Sequence, residues 1–341
     1  MPASLDRVTT MEFQPLKRST AQRGLAALFA ASALLLWSGD SQAFPDRVVT
    51  IVTTVAAGGS IDAVARTVAQ GLSDELKGTV IVEPRPGAGG NTAASFVSKA
   101  PADGHTILFA ASSTLAINPH LYKSPPFDAD SDFEIIALPA RVNQILVVHP
   151  KLGVSSAKDF IERLKSTSSQ LSYGTSGIGS LSHLTSEVLA LRTGGSPVHI
   201  PYRGIAPAMT DLLAAQIDFM FDSATSIPNI KDGKLKALAV VGPKRLAGLP
   251  DVPTLHEAGI TGMEFTNGWY VVAVPKATPR AVVDLLSSKI RDIMKSDRSQ
   301  KLIADMGLET TDVPASEMTG IIASDRRQVG EALATIKIEK Y

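Results

Sequence analysis

The sequence predicts an α/β protein of two lobes, each a mostly parallel sheet flanked by helices, with two strand-like crossings joining the lobes. Three observations carry that expectation. Short β-branched runs alternate with stretches of helical periodicity, the pattern of βαβ units. Glycine- and serine-rich loops recur where a strand gives way to a helix, at Ala56–Ser60 and again at Gly174–Ser180. A Pro-rich, acidic connection, Pro125–Asp132, separates a first set of units from a second.

The first unit, Val48–Leu76, opens with VVTIVTTV, a run suited to a strand buried on both faces. It turns at Gly58-Gly59. Ser60 reads as the N-cap of a helix whose Val64, Val68, Leu72 and Leu76 form one buried stripe. Strands follow at Thr79–Glu83 and His105–Ala111, with a helix over Thr92–Lys99 between them and Ser112-Ser113-Thr114 just past the third strand. The first crossing falls near 143–147. The second set has a helix over Ala157–Lys165, a strand at Leu171–Tyr173 and a helix marked by Leu181, Leu184, Val188 and Leu191. It continues with a strand at Val198–Ile200, a helix ending at Ala215, and strands at Ile217–Phe221 and Leu235–Val241. A long strand over Glu264–Pro275 makes the second crossing. Helices at Arg280–Met294, Gln300–Met306 and Ser316–Thr335, with a strand at Leu308–Val313, return the chain to the first lobe. The lobes are thus expected at 44–143 plus 271–341 and at 144–270.

Composition narrows the function. Equal numbers of basic and acidic residues (33 each) leave no net charge, so nothing favours nucleic acid or an acidic membrane as partner. The absence of cysteine excludes disulfides, thiolate catalysis and cysteine-ligated zinc. At the N-terminus, Lys17, Arg18 and Arg23 precede the apolar run Leu25–Trp37 and a small-x-small site, Ser41-Gln42-Ala43. This reads as a signal peptide over residues 1–43, whose apolar run is too short for the roughly 20 residues of a membrane span. Cleavage leaves an exported chain beginning Phe44-Pro45, and Met11 is an alternative start.

Enzyme signatures are missing. Gly174-Thr175-Ser176-Gly177 misses the nucleophile elbow by one position, and Ser155-Ser156-Ala157-Lys158 reads as a serine-capped helix start. The six histidines show no metal-ligand spacing. The opening loop lacks the dinucleotide fingerprint, although Glu83 stands near the usual ribose position. What remains is a set of polar loops from both halves: Ala57–Ser60, Ser112–Thr114, Gly177–Ser180, Gly204–Ala206 and Asp222–Ser223. Backbone N–H groups at helix N-termini make an anion site without a charged side chain. Hydrogen bonds to a charged group contribute about 1.5–3 kcal/mol each, and micromolar binding needs about 8 kcal/mol. Asp62 competes for the same helix end, where it stabilises the helix.

The stretches AAGGSIDAVAR (56–66), RPGAGGN (85–91), APADGHTILF (100–109), AINPHLY (116–122), YGTSGIGSLSHL (173–184), HIPYRGIAPAMTDLLAAQIDFMFDS (199–223) and LPDVPTLHEAGI (249–260) together resemble the exported solute-binding receptors of tripartite tricarboxylate transporters, the Bug or TctC family. The resemblance implies a type II periplasmic binding-protein fold that closes on a small carboxylate and delivers it to membrane permease subunits. It implies a periplasmic monomer with no cofactor, no metal and no catalytic residue. Carried over by position, the ligand contacts are Ala57, Gly58, Gly59, Ser60, Ser112 and Ser113 from the first lobe. Those of the second are Gly179, Ser180, Tyr202 and Asp222, with His183 beside them. This chain departs from the family pattern at Thr54, Val55 and Ala57, where Pro-Phe and a proline are usual, and at Pro84, where asparagine is usual. Loss of the phenylalanine leaves room for a bulkier or differently shaped acid than aspartate or citrate, including an aromatic one; a dicarboxylate or an aromatic acid is the expected ligand. Two other readings stay open: a small-molecule enzyme on the same frame, with His183 or Asp222 as base, and a ligand sensor for a signalling partner.

Overall fold

A computed structural model describes residues 44–166, 170–263, 266 and 268–335, with the side chains of 224 and 315 excepted. The expected signal peptide lies outside them.

The first sheet is built from β1 (Val49–Thr53), β2 (Val80–Pro84), β3 (Thr106–Ala111), β4 (Phe133–Val142) and, from the end of the chain, β10 (Gly268–Pro275) and β11 (Glu309–Thr310). Its order is β11-β4-β10-β3-β1-β2. The second holds β5 (Gln144–Val148), β6 (Ser172–Thr175), β7 (Val198–Pro201), β8 (Phe219–Asp222) and β9 (Lys236–Val241) in the order β7-β6-β8-β5-β9. The two-lobed α/β architecture stands, but the sheets are mixed rather than mostly parallel. Each keeps a parallel block, β2-β1-β3 and β7-β6-β8, while β10 and β5 pair antiparallel with their neighbours. The β5 and β10 strands come directly out of the crossings, so they enter their sheets without a helical crossover and run antiparallel. Gly268 and Tyr270, placed in the second lobe from sequence, pair with Val142 and Ala140 of the first sheet.

Helices cover both faces of each sheet. On one face of the first lie α1 (Ser60–Leu76) and α9 (Arg280–Lys295), whose Val64, Val68, Leu72, Leu286 and Ile290 pack on Ile51, Phe109 and Val272. On the other, Val97 of α2 (Asn91–Ser98), Leu115 of α3 (Ser112–Ala116) and Met318 and Ile322 of α11 (Ala315–Thr335) meet Val52, Leu108 and Val271. A short α4 (Asn118–Leu121) follows α3, and α10 (Asp297–Asp305) follows α9. In the second lobe, α5 (Ala157–Lys165) and α6 (Leu181–Thr193) bury Phe160, Leu184 and Val188 against Tyr173 and Phe219. The opposite face carries α7 (Ile205–Leu213) and α8 (Ile227–Lys231). Ile117, Leu121 and Val329 join the core of the second sheet, so α4 and α11 tie the two lobes together.

Several elements differ from expectation for physical reasons. β4 falls where the sequence reading assigns no element, between the Pro125–Asp132 connection and the strand near Ile145, and it contains Pro139, which cannot donate to a ladder. It sits between β10 and β11 nonetheless, with a register shift opposite Val272 that accommodates the proline, and Leu138 O accepts the Thr311 hydroxyl. Leu191, expected on the buried stripe of α6, is 46% exposed. Ser156 does cap α5, in a reciprocal capping box with Asp159. Among the described residues no helix is long and apolar enough to cross a membrane.

Candidate functional site

A cavity of about 750 Å³ opens between the two sheets. Three helices begin on its wall: α1 at Ser60, α6 at Leu181 and α7 at Ile205. Neither Gly59 nor Gly204, which precede α1 and α7, supplies a side-chain cap. The first-turn N–H groups of those helices therefore keep no protein acceptor and carry the positive end of the helix dipole. The rest of the wall combines uncharged hydroxyls with an apolar surface from Val55, Ile178, Tyr122 and Trp269. Among the described residues no acidic side chain lines it.

The first lobe contributes Gly59, Ser60, Ser112 and Ser113 from the expected set. Ser60 is not the helix cap; Gly59 takes that place in extended geometry, and the Ser60 hydroxyl lies 2.5 Å from Tyr270 Oη. Burial pushes the Tyr270 hydroxyl up to about 12, so this contact joins two neutral groups. Ser112 begins α3, and its hydroxyl accepts from Trp269 N at 3.1 Å, which leaves its own O–H to donate. Ala57 and Gly58 do not line the cavity. The Gly58 N–H donates to Asp62 Oδ2 at 3.0 Å, and Arg66 Nε donates to the same oxygen at 2.9 Å. The Arg66 hydrogen bond holds the Asp62 carboxyl below its ordinary range against the effect of burial. Gly58, Gly59 and Ser60 also line a second cleft, of about 800 Å³, opposite Ser223 and Thr225.

The second lobe contributes Gly179 and Ser180. The other three expected contacts face their own lobe. The Tyr202 hydroxyl donates to Asp211 at 2.6 Å, and burial with that bond pushes it up to about 12. Asp222 is 1% exposed and accepts from Thr225 Oγ1 and Ser226 N, capping the turn Ala224–Ser226; burial raises its carboxyl. His183 lies beneath the glycine loop, where its Nδ1 accepts the Gly179 N–H at 3.1 Å. Its ring stacks on His199 at 4.1 Å between centroids. His199 Nε2 in turn lies 2.7 Å from Thr175 Oγ1, which accepts the Gly177 N–H. The stacked histidine pair thus braces both ends of the loop, His183 directly and His199 through Thr175. Burial and the neighbouring His199 push His183 down to about 3, and burial pushes His199 down to about 4, so both rings are neutral.

Neither proposed general base is available for chemistry, since His183 and Asp222 are both spent on backbone and hydroxyl donors. Among the described residues no group of three or more His, Cys, Asp or Glu is placed to hold a metal. Residue-by-residue reading missed Trp269, Tyr270 and Arg203. The first two emerge where the returning strand enters the first sheet, next to Ser112. The only local signal for Arg203 is its place beside Gly204, just before a helix.

Two α/β sheets linked by a pair of crossings, around a cavity that offers free helix N-terminal N–H groups, define the class of bilobal solute-binding proteins. The chain belongs to the tripartite tricarboxylate transporter receptor family, whose model matches residues 64–338. It is 36% identical over 270 residues to a protein of Pseudomonas sp. strain P51 encoded in the tcbD-tcbE intergenic region, covering 79% of this chain and 80% of that one. Among solved structures it is similar to the periplasmic binding protein BugD, with a TM-score of 0.76 and 33% identity over 87% of this chain and all of that one. A Rhodopseudomonas palustris protein solved with adipate gives a TM-score of 0.77 at 31% identity, covering 86% of this chain and 98% of the other. MatC from the same organism, with bound malate, gives 0.75 at 26%, covering 85% and 100%. These relatives are solute-binding receptors rather than enzymes.

Proposed function

We propose that this protein is an exported receptor that captures a small carboxylate between its lobes and passes it to the permease subunits of a tripartite tricarboxylate transporter. The observation that carries the reading is the cavity wall: helix N-termini from both lobes, serine hydroxyls and, among the described residues, no acidic side chain. An anion meets only favourable partners there, and none competes with it. Family membership supports the permease as partner. The adipate and malate found in related structures support the carboxylate. Export fits the leader expected over residues 1–43.

Gly59 and Ser60 hold the acid group from the first lobe; in the second, Gly179 and Ser180 shape the wall, their N–H groups donating to His183 Nδ1 and Gly177 O, and Ser180 offers its hydroxyl. Ser112 and Ser113 contribute hydroxyls. Ala57 and Gly58 shape the loop, His183 and Asp222 brace their own loops, and Tyr202 anchors the chain beside the cavity. Because ligand contacts come from both lobes, binding favours closure about the paired crossings. The apolar wall and the size of the cavity leave room for an aliphatic or aromatic body, and one copy of the chain supplies the whole site.

A thermal-shift panel of carboxylates tests this. A ligand at 100 times its Kd adds about 2.7 kcal/mol of stability, worth roughly 5–10 °C in Tm at this size. If no mono-, di- or aromatic carboxylate shifts Tm while another class of solute does, the reading fails.

A further inference from the structure

Among the described residues the cavity wall carries a single formal charge, on Arg203. This arginine is exposed and, among the described residues, makes no hydrogen bond or ion pair. By contrast, Arg66 by the α1 N-terminus is matched by Asp62, and Arg326 behind the cavity by Asp130. An unmatched guanidinium facing a pocket without carboxylates lacks an anionic partner, and its planar fork suits the two oxygens of a carboxylate.

The backbone around Arg203 is fixed. Pro201 ends β7 and pairs with Thr175 of β6. The Tyr202 N–H donates to Thr175 O at 3.1 Å, and its hydroxyl is clamped by Asp211 at 2.6 Å. One residue later Gly204 starts α7. Residue 203 is therefore held in a short arc between a strand end and a helix start, aimed at the cavity. This gives Tyr202 a role other than ligand contact: it is a positioning residue for its neighbour.

Resting on the reading of the cavity as a carboxylate site, we infer that Arg203 is its specificity-determining residue. The neutral N–H groups at Gly59–Ser60, at the start of α1, hold one carboxylate, and Arg203 pairs with a second anionic group at the far end of the same ligand. The protein then distinguishes a dicarboxylate from a monocarboxylate of the same shape, a distinction that helix N-termini alone do not make.

Calorimetric titration of two matched pairs tests this: adipate against hexanoate, and terephthalate against 4-methylbenzoate. The wild-type protein is expected to prefer the dicarboxylate of at least one pair by about tenfold, the scale of an accessible charge-assisted pair. Arg203→Gln should remove that preference by weakening the dicarboxylate alone, and Arg203→Lys should restore part of it. Circular dichroism checks that both variants fold. A preference unchanged in Arg203→Gln, or a wild-type protein that binds the monocarboxylate equally well or better, overturns the role of Arg203 while the carboxylate reading survives. Failure of all four acids to bind the wild type overturns both.

Discussion

Gly59→Val separates binding from folding at a single position. Gly59 has φ −90° and ψ 177°, an extended conformation open to any residue, and an added Cβ meets no atom within 4 Å. Valine is a poorer N-cap than glycine, by about 1 kcal/mol at most, which lowers Tm by about 2–4 °C in a chain of this size. The effect on binding is far larger. The isopropyl group fills the space in front of the α1 N-terminus and holds a carboxylate off the Ser60 and Ile61 N–H groups. Losing two hydrogen bonds to a charged group costs about 3–6 kcal/mol, which is at least a hundredfold in Kd. Gly90→Val is the contrasting control: there φ is +98° and a Cβ would lie 2.4 Å from Thr114 Oγ1, so the fold itself suffers. Calorimetric titration with whichever carboxylate binds the wild type, paired with thermal denaturation, reads both effects. A Gly59→Val protein with affinity within twofold of wild type refutes the placement of the acid group at this helix end.

Two further outcomes concern the braces behind the loops. His183 and His199 take protons near pH 6.5 when unfolded but only near 3 and 4 when folded, so the unfolded chain binds more protons below pH 6.5. Stability therefore falls as pH drops through that window, by roughly 2–3 kcal/mol per histidine between pH 6.5 and 4.5. His183→Gln should flatten the dependence of Tm on pH in that range, and an unchanged slope would falsify the assignment. Asp62→Ala leaves the Gly58 N–H without its acceptor and Arg66 without its partner. The expected cost is about 1–3 kcal/mol in urea denaturation, with several-fold weaker carboxylate binding as the loop loosens. Wild-type values for both would show that Asp62 does not hold the loop.

Much of this protein is written locally. The β-branched run of β1, the paired glycines and the Val64–Val68–Leu72 stripe are short-range patterns, and they place a strand, a turn and a helix start without reference to the rest of the chain. The same holds for the Gly177–Ser180 turn and for the serines that follow β3. Backbone N–H groups at a helix start need no partner to become donors, so loops of this kind are legible from residue type and spacing. The partners of polar side chains are not. Whether Tyr202, His183 and Asp222 face a ligand or their own lobe depends on Asp211, Gly179 and Thr225 with Ser226. Those contacts were set by packing, and in each case an internal partner claimed the polar atom. β4 carries Pro139, which cannot donate to a ladder, and only the neighbouring strands supply the register shift that accommodates it. Arg203 looks like any surface arginine until two sheets close a cavity in front of it. The sequence by itself determined the class of site, through backbone geometry that is local. The tertiary structure decided which side chains read the ligand, because side chains are assigned by what lies across from them in space.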